Sequence, residues 1–191
     1  WLMVRSLSVI RKGNHMMKFL VYMILKLAEQ RGSIQTSMLA AQMGCTLDPF
    51  FYEVDINPVA ASAVTQGFFL VQSDAGFAIC KTTVFALSIA DVAVAELQPF
   101  GSGLTTGILP FLVTLVDSGA GRSLMSNPVP IDSIFGTAMK PYTWEAPKIL
   151  EPNSQFNITV QNLSATARSL RLTFHGYKIF GNIGQFIAKS R

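Results

Sequence analysis

Residues 156–180, FNITVQNLSATARSLRLTFHGYKIF, alternate apolar and polar side chains, and few folds accommodate that pattern. Phe156, Ile158 and Val160 take one side and Asn157, Thr159 and Gln161 the other, the period-2 mark of a strand buried on one face. Residues 162–168 are polar and small and read as a turn. Leu170, Leu172 and Phe174 then alternate with Arg171, Thr173 and His175, so the stretch reads as a hairpin. At Gly176 the phase flips, because Tyr177 and Ile179 hold the apolar positions. One extra residue at a glycine predicts a β-bulge in this last strand. The polar side offers amides, hydroxyls and two arginines without a carboxylate, the surface of a scaffold or of a protein contact.

The same patterning extends back to about Thr46. Strands are expected near 50–56, 64–72, 76–87, 107–117, 129–135, 142–150, 155–161 and 169–180, separated by Gly, Pro, Asn and Ser. Eight short strands with such punctuation predict a mainly β chain, an antiparallel sandwich of jelly-roll-like topology over residues 46–191. SIADVAVAEL, residues 88–97, fits helix or strand, GSGLTTG at 101–107 reads as a loop, and DSGAGRS at 117–123 as the polar loop of a hairpin.

Residues 1–45 follow another period and predict a short, basic, helical N-terminal arm. Asn14 can cap a helix running to Gly32, and a second helix ends at Gly44. In the first helix Phe19, Leu20, Met23, Ile24 and Leu27 fall on one stripe, the candidate partner-binding residues of the chain. MKFLVYMILKLA resembles the start of a secretion signal, but its apolar run covers only residues 19–25 and Lys26 interrupts it. That run is also far short of the roughly 20 residues that span a bilayer, so a membrane role is not expected. SMLAAQMGCT echoes a helix-turn-helix turn, yet Leu47-Asp48-Pro49 follows where a recognition helix must run, which argues against specific nucleic-acid reading. The first residue is Trp1, which places the native start upstream or implies processing.

Only 14% of the residues are charged and half are hydrophobic, against the roughly 25% charge usual in soluble domains. Such a surface expects neighbours or a membrane. Net charge of +4 divides into +4 over residues 1–50 (six Lys/Arg, two acids), −5 over 51–165 (four against nine) and +5 over 166–191 (five against none). Basic ends around an acidic middle suit contacts between copies, or ends that touch polyphosphate. Cys45 and Cys80 lie in apolar surroundings without CxxC spacing and read as buried thiols.

Catalytic chemistry is hard to find. His15 and His175 are the two histidines, and a nucleophile needs a base within reach. Glu53 and Asp55 alternate on one strand face without a complementary pair, so they read as solvated. Two Cys and two His at these separations form no zinc knuckle, and neither GSGLTTG nor GNIG is a phosphate loop. No enzyme activity, cofactor or metal is expected. Asn157 and Asn162 head glycosylation sequons, which matter only in a secreted eukaryotic chain.

The order of segments then carries a resemblance. FFYEVDINP, QSDAGFAI, LPFLVTLVDSGAGRSLMSNPVPIDSIFGTAMKPY and ILEPNSQFNITVQNLSATARSLRLTFHGYKIF look like small β-sandwich virion structural proteins of tailed bacteriophages, the kind that decorate or cement heads or line connecting regions. The resemblance covers roughly residues 50–181 and leaves the first fifty without a counterpart. It implies a non-enzymatic protein of the virion, homo-oligomeric, that binds and stabilises a capsid, neck or tail lattice through the major capsid protein or another structural protein. The alternative is a carbohydrate- or receptor-binding adhesion module, which needs exposed aromatics above polar groups, with Tyr142, Trp144 and Tyr177 the candidates.

Overall fold

The computed structural model describes residues 45–88 and 109–181. Both expected arm helices, the Phe19–Leu20–Met23–Ile24–Leu27 stripe and the 88–97 and 101–107 segments therefore lie wholly or almost wholly outside the described residues. What is described is two antiparallel sheets packed face to face. One holds β1 (Cys45–Val59), β9 (Arg168–Gly181), β3 (Gly76–Ser88) and β7 (Tyr142–Leu150), in that order. The other holds β2 (Val64–Leu70), β8 (Gln155–Asn162), β4 (Phe111–Asp117) and the two-residue β5 (Arg122–Ser123), with β6 (Val129–Pro130) also paired to β4. The chain changes layer at most connections, and the orders 1-9-3-7 and 2-8-4-5 follow a jelly-roll path.

The expected hairpin of residues 156–180 does not form. Its two strands exist and alternate as read, but β8 pairs β2 and β4 while β9 pairs β1 and β3. Each strand has one apolar side, and that side can be buried by facing another sheet as well as by sharing one. Here the two apolar sides meet: the Phe156 and Phe174 rings lie 5.5 Å apart, edge to face, and Phe69 of β2 contacts both at 5.3 and 5.1 Å. Phe77, Phe111, Phe135, Ile158, Leu170 and Leu172 complete a core that is almost fully shielded. Contacts of this geometry add about 0.5–1.5 kcal/mol per ring pair beyond area burial.

The bulge expected in the last strand sits on its neighbour instead. β9 pairs β1 without a slip from Arg171 to Gly181. Against β3, Ile79 faces Gly176 and Lys81 faces His175, which leaves Cys80 as the extra residue. Gly176 is still the signal, because a Cβ there would lie 1.8 Å from the Ala78 carbonyl oxygen, so only glycine lets the bulged strand approach. The apolar residues after it do not return to the core. Tyr177 and Ile179 lie on the outer side, where Ile179, Ala78 and Cys45 form a second buried cluster with Leu47, Ile149 and Tyr177 around it.

The expected strand at 129–135 is also corrected. Only Val129 and Pro130 pair with β4, and a 3-10 turn follows at Ile131–Ser133. Proline lacks the donor a ladder needs, and the turn buries Ile131 and Phe135 four residues apart, joined by the Phe135 N–H to the Ile131 carbonyl at 2.9 Å. Gly136 then docks on β3, exchanging bonds of 2.9 and 3.1 Å with Val84 and Thr82 where β7 stops short. The strand expected over 107–117 is observed at Phe111–Asp117, and that over 50–56 reaches from Cys45 to Val59 with Pro49 on an edge. DSGAGRS is a tight hairpin joining β4 to β5, with Gly121 at φ 60.

Polar side chains tie the layers at both ends. Asn162 is fully buried. Its Nδ2 donates to the carbonyls of Val59, Ala60 and Thr166 at 3.2, 3.1 and 2.9 Å, and its Oδ1 accepts from the Ser164 N–H and hydroxyl at 2.9 and 2.7 Å. One amide thus holds the β1–β2 turn to the β8–β9 turn. At the other end Lys148 of β7 reaches across to Asp117 of β4 at 2.9 Å. Nearby, Lys178 of β9 sits between Phe50 and Phe180, near Asp74 at 3.3 Å and bonded to the Gln72 side chain.

Unpaired buried polar groups cost about 1–3 kcal/mol each. Asn162→Leu, which keeps the volume and removes every one of these bonds, should lower unfolding free energy by about 2–3 kcal/mol in chemical denaturation. A change below about 0.5 kcal/mol would mean the two turns hold without it.

Candidate interaction surface

Because the cores of both sheets face inward, function must be sought on the outer faces, the edges and the loops. The two faces differ in chemistry. On the β1-β9-β3-β7 face Glu53 and Asp55 of β1 stand beside Arg171, Thr173 and His175 of β9, and Lys81 and Thr83 of β3 follow. Asp55 is not merely solvated, as the sequence implied. Its two oxygens accept from Arg171 Nε and Nη2 at 2.7 and 3.0 Å, and that hydrogen bond, helped by the guanidinium charge, holds the carboxyl below its ordinary range. The pair is exposed on both sides, so it contributes little to stability.

His175 sits on this outer face as expected. Its Nε2 lies 3.1 Å from the Thr83 hydroxyl and its ring 6.3 Å from Phe51. Burial lowers its pKa first and the Lys81 charge second, while Glu53 pulls the other way. Among the described residues no group of three His, Cys, Asp or Glu side chains could hold a metal ion. Cys45 and Cys80 are both buried, and burial raises the Cys45 pKa.

The adhesion reading asked for an aromatic platform, and the three candidates do not make one. Trp144 packs against the core and its Nε1 donates to Thr82 Oγ1 at 3.3 Å. Tyr142 meets it edge-on at 6.4 Å. Tyr177 is on the opposite side of the sheet, in the outer cluster. A cleft of about 670 Å³ lies beside Tyr142, lined also by Asp132, Gly136 and Lys140. Asp132 Oδ2 there accepts from the Leu109 N–H at 3.0 Å, and burial raises its pKa despite that bond.

The face of the β2-β8-β4-β5 sheet is different. Its outward residues are Val64, Gln66, Phe68 and Leu70 on β2, Gln155, Asn157, Thr159 and Gln161 on β8, and Leu112, Thr114 and Val116 on β4. None is charged. Val64, Phe68 and Leu70 are 60%, 61% and 55% exposed, and they line the open edge of the sheet. Sequence reasoning located the polar half of this face, in β8, and missed the apolar rim. The signal was present in VTQGFFL, where Val64, Phe68 and Leu70 share the parity of Gln66 and oppose buried Phe69.

No protein-family model and no curated protein sequence matches this chain. Among solved structures it is similar to a chain of a cyanophage Pam1 capsid asymmetric unit, at 12% identity and a TM-score of 0.33, over 71% of this chain and 86% of that one. At that distance the likeness assigns neither family nor role.

His175 has a folded-state pKa below its ordinary value, so its contribution is intact above about pH 6.5 and is lost as pH falls, because the unfolded chain takes up the proton first. Wild-type stability should therefore drop between pH 7 and pH 5, and His175→Gln should flatten that part of the curve. The measurement is denaturation midpoint against pH; an equal slope in both proteins would remove His175 as the cause.

Proposed function

We propose that this chain is a non-enzymatic structural protein of a virion, present in several copies, that binds and stabilises a capsid, neck or tail lattice through protein–protein contacts. The observation that carries the reading is the charge-free outer face of the β2-β8-β4-β5 sheet with its exposed Val64, Phe68 and Leu70. A surface of neutral amides, hydroxyls and apolar side chains costs less to desolvate than a charged one, and a neighbour that meets its hydrogen bonds suits it. The rigid sandwich behind it, tied at both ends, supports a spacer or clamp. The segment order, which resembles that of small β-sandwich virion proteins of tailed bacteriophages, supports the same role. The Thr83 hydroxyl and His175 Nε2 lie 3.1 Å apart, a nucleophile–base spacing, but among the described residues no carboxylate hydrogen-bonds the ring to orient it.

In this reading residues 1–45 are an arm that reaches the neighbour and residues 46–191 are the body. The stripe Phe19, Leu20, Met23, Ile24 and Leu27 is the contact. Burying five such side chains contributes up to ~7–15 kcal/mol before ordering costs, whereas exposed ion pairs contribute about 0–1 kcal/mol and are screened by salt. Binding to the parent particle should therefore survive raised salt, and fall at least tenfold on deleting residues 1–44 or on making Leu20→Ser with Ile24→Ser. Co-sedimentation with particles checks it. Folded variants that bind undiminished would refute the arm's part, and a protein that binds no particle at all would refute the assembly role.

A further inference from the structure

Sheet edges present unpaired backbone, and proteins usually block them with proline, charge or shortness. Among the described residues all edges but one carry such devices, the two-residue β6 with Pro130 included. β1 has Pro49 and Pro58 with Asp48, Glu53 and Asp55; β7 has Pro147 with Glu145 and Lys148; β5 is two residues long. The remaining edge, β2, reads VTQGFFL, with neither a proline nor a charge over seven residues. Among the described residues no strand pairs with its open side.

The hydrogen-bond phase shows which groups are on offer. The Asn162 N–H donates to the Ala63 carbonyl and the Val71 N–H to the Ser154 carbonyl, both at 2.9 Å, so residues 63 and 71 face β8. Alternation then turns the backbone groups of Thr65, Gly67 and Phe69 to β8 as well, and those of Val64, Gln66, Phe68 and Leu70 to the open side. These four residues are also the ones whose side chains stand outward on the uncharged face.

We propose that the β2 edge pairs with the β2 edge of a second copy of this chain, antiparallel and centred on Gly67, to make one continuous sheet across two sandwiches. This deepens the assembly reading by naming a surface for self-association, and it can be tested without a particle. The occupant follows from the strand's own pattern. About Gly67, Val64 falls opposite Leu70 of the other copy, apolar on apolar, and Gln66 opposite Phe68, so all four outward residues find an uncharged partner. The two Phe68 rings become diagonal neighbours across the axis, within reach for aromatic side chains. Shifting the centre to Gln66 leaves Leu70 against Ser62. Shifting it to Phe68 sets Val64 against Gln72, whose N–H already bonds the Tyr52 hydroxyl at 3.1 Å. A strand without charge meets itself without repulsion. Gly67 cannot itself be altered to probe this, since a Cβ there would lie 2.7 Å from Val54 Cγ1.

The test is the solution mass of the full chain by light scattering and sedimentation, with two edge variants. Gln66→Pro removes only an outward N–H, which an edge strand tolerates, and Phe68→Lys sets a charge on an exposed position. Wild type is expected to associate through dimers as concentration rises, and both variants to shift dissociation at least tenfold while keeping the wild-type circular dichroism. The register is read by cysteines: Gln66→Cys protein mixed with Phe68→Cys protein should cross-link on mild oxidation, because opposed residues lie about 5.5 Å apart at Cα, within disulfide reach. Neither variant alone should do so through that cysteine. A wild type that stays monomeric, an assembly indifferent to both edge variants, or cross-linking of a single variant with itself would each overturn the proposal.

Discussion

Everything in this fold hangs on two sheets finding each other through their aromatic sides. Phe156 on one layer and Phe174 on the other stand 5.5 Å apart, with Phe69 touching both. Neither strand could stay ordered alone, since each exposes a full row of large apolar groups to water until the opposite layer covers it. The polar ties at the ends work within that constraint. Asn162 and the Lys148–Asp117 contact can be buried because the packed layers exclude water around them, and they in turn satisfy groups that packing alone would leave bare.

Much of the architecture was legible in the sequence because parity survives any pairing. Phe156, Ile158 and Val160 are buried together whichever strand lies beside them, and so are Leu170, Leu172 and Phe174. Pairing partners were not legible, which is why a hairpin was expected where the two strands oppose one another across the core. A local turn signal at 162–168 fits both outcomes; the choice is made by residues about a hundred positions away, such as Val59 receiving the Asn162 amide. The bulge shows the same limit. Gly176 marked the place, but the extra residue is Cys80 on a strand far away in sequence.

Of the candidate surface, the neutral character of β8 could be read directly, while the open β2 edge could not, since openness is a property of strand order. Lys178 was the least legible residue. A lysine in an apolar row reads as an outward interruption, yet here its stem is buried and its head lies over Phe50 at 4.6 Å, beside Asp74. The 129–135 stretch misled for a related reason: Ile131 and Phe135 satisfy a strand's parity and a turn's four-residue spacing equally well, and Pro130 decides between them.

The register sets Cys45 directly opposite Gly181. The stretches that precede and follow the sandwich therefore depart from adjacent strands at one corner. Those stretches, residues 1–44 and 182–191, hold eight Lys/Arg and one Glu, a charge of +7, while residues 45–181 hold seven Lys/Arg against ten acids, or −3. Both basic stretches are thus joined to the sandwich at the same corner. An anionic surface would draw such a molecule by the charge those two stretches carry before any side chain makes contact.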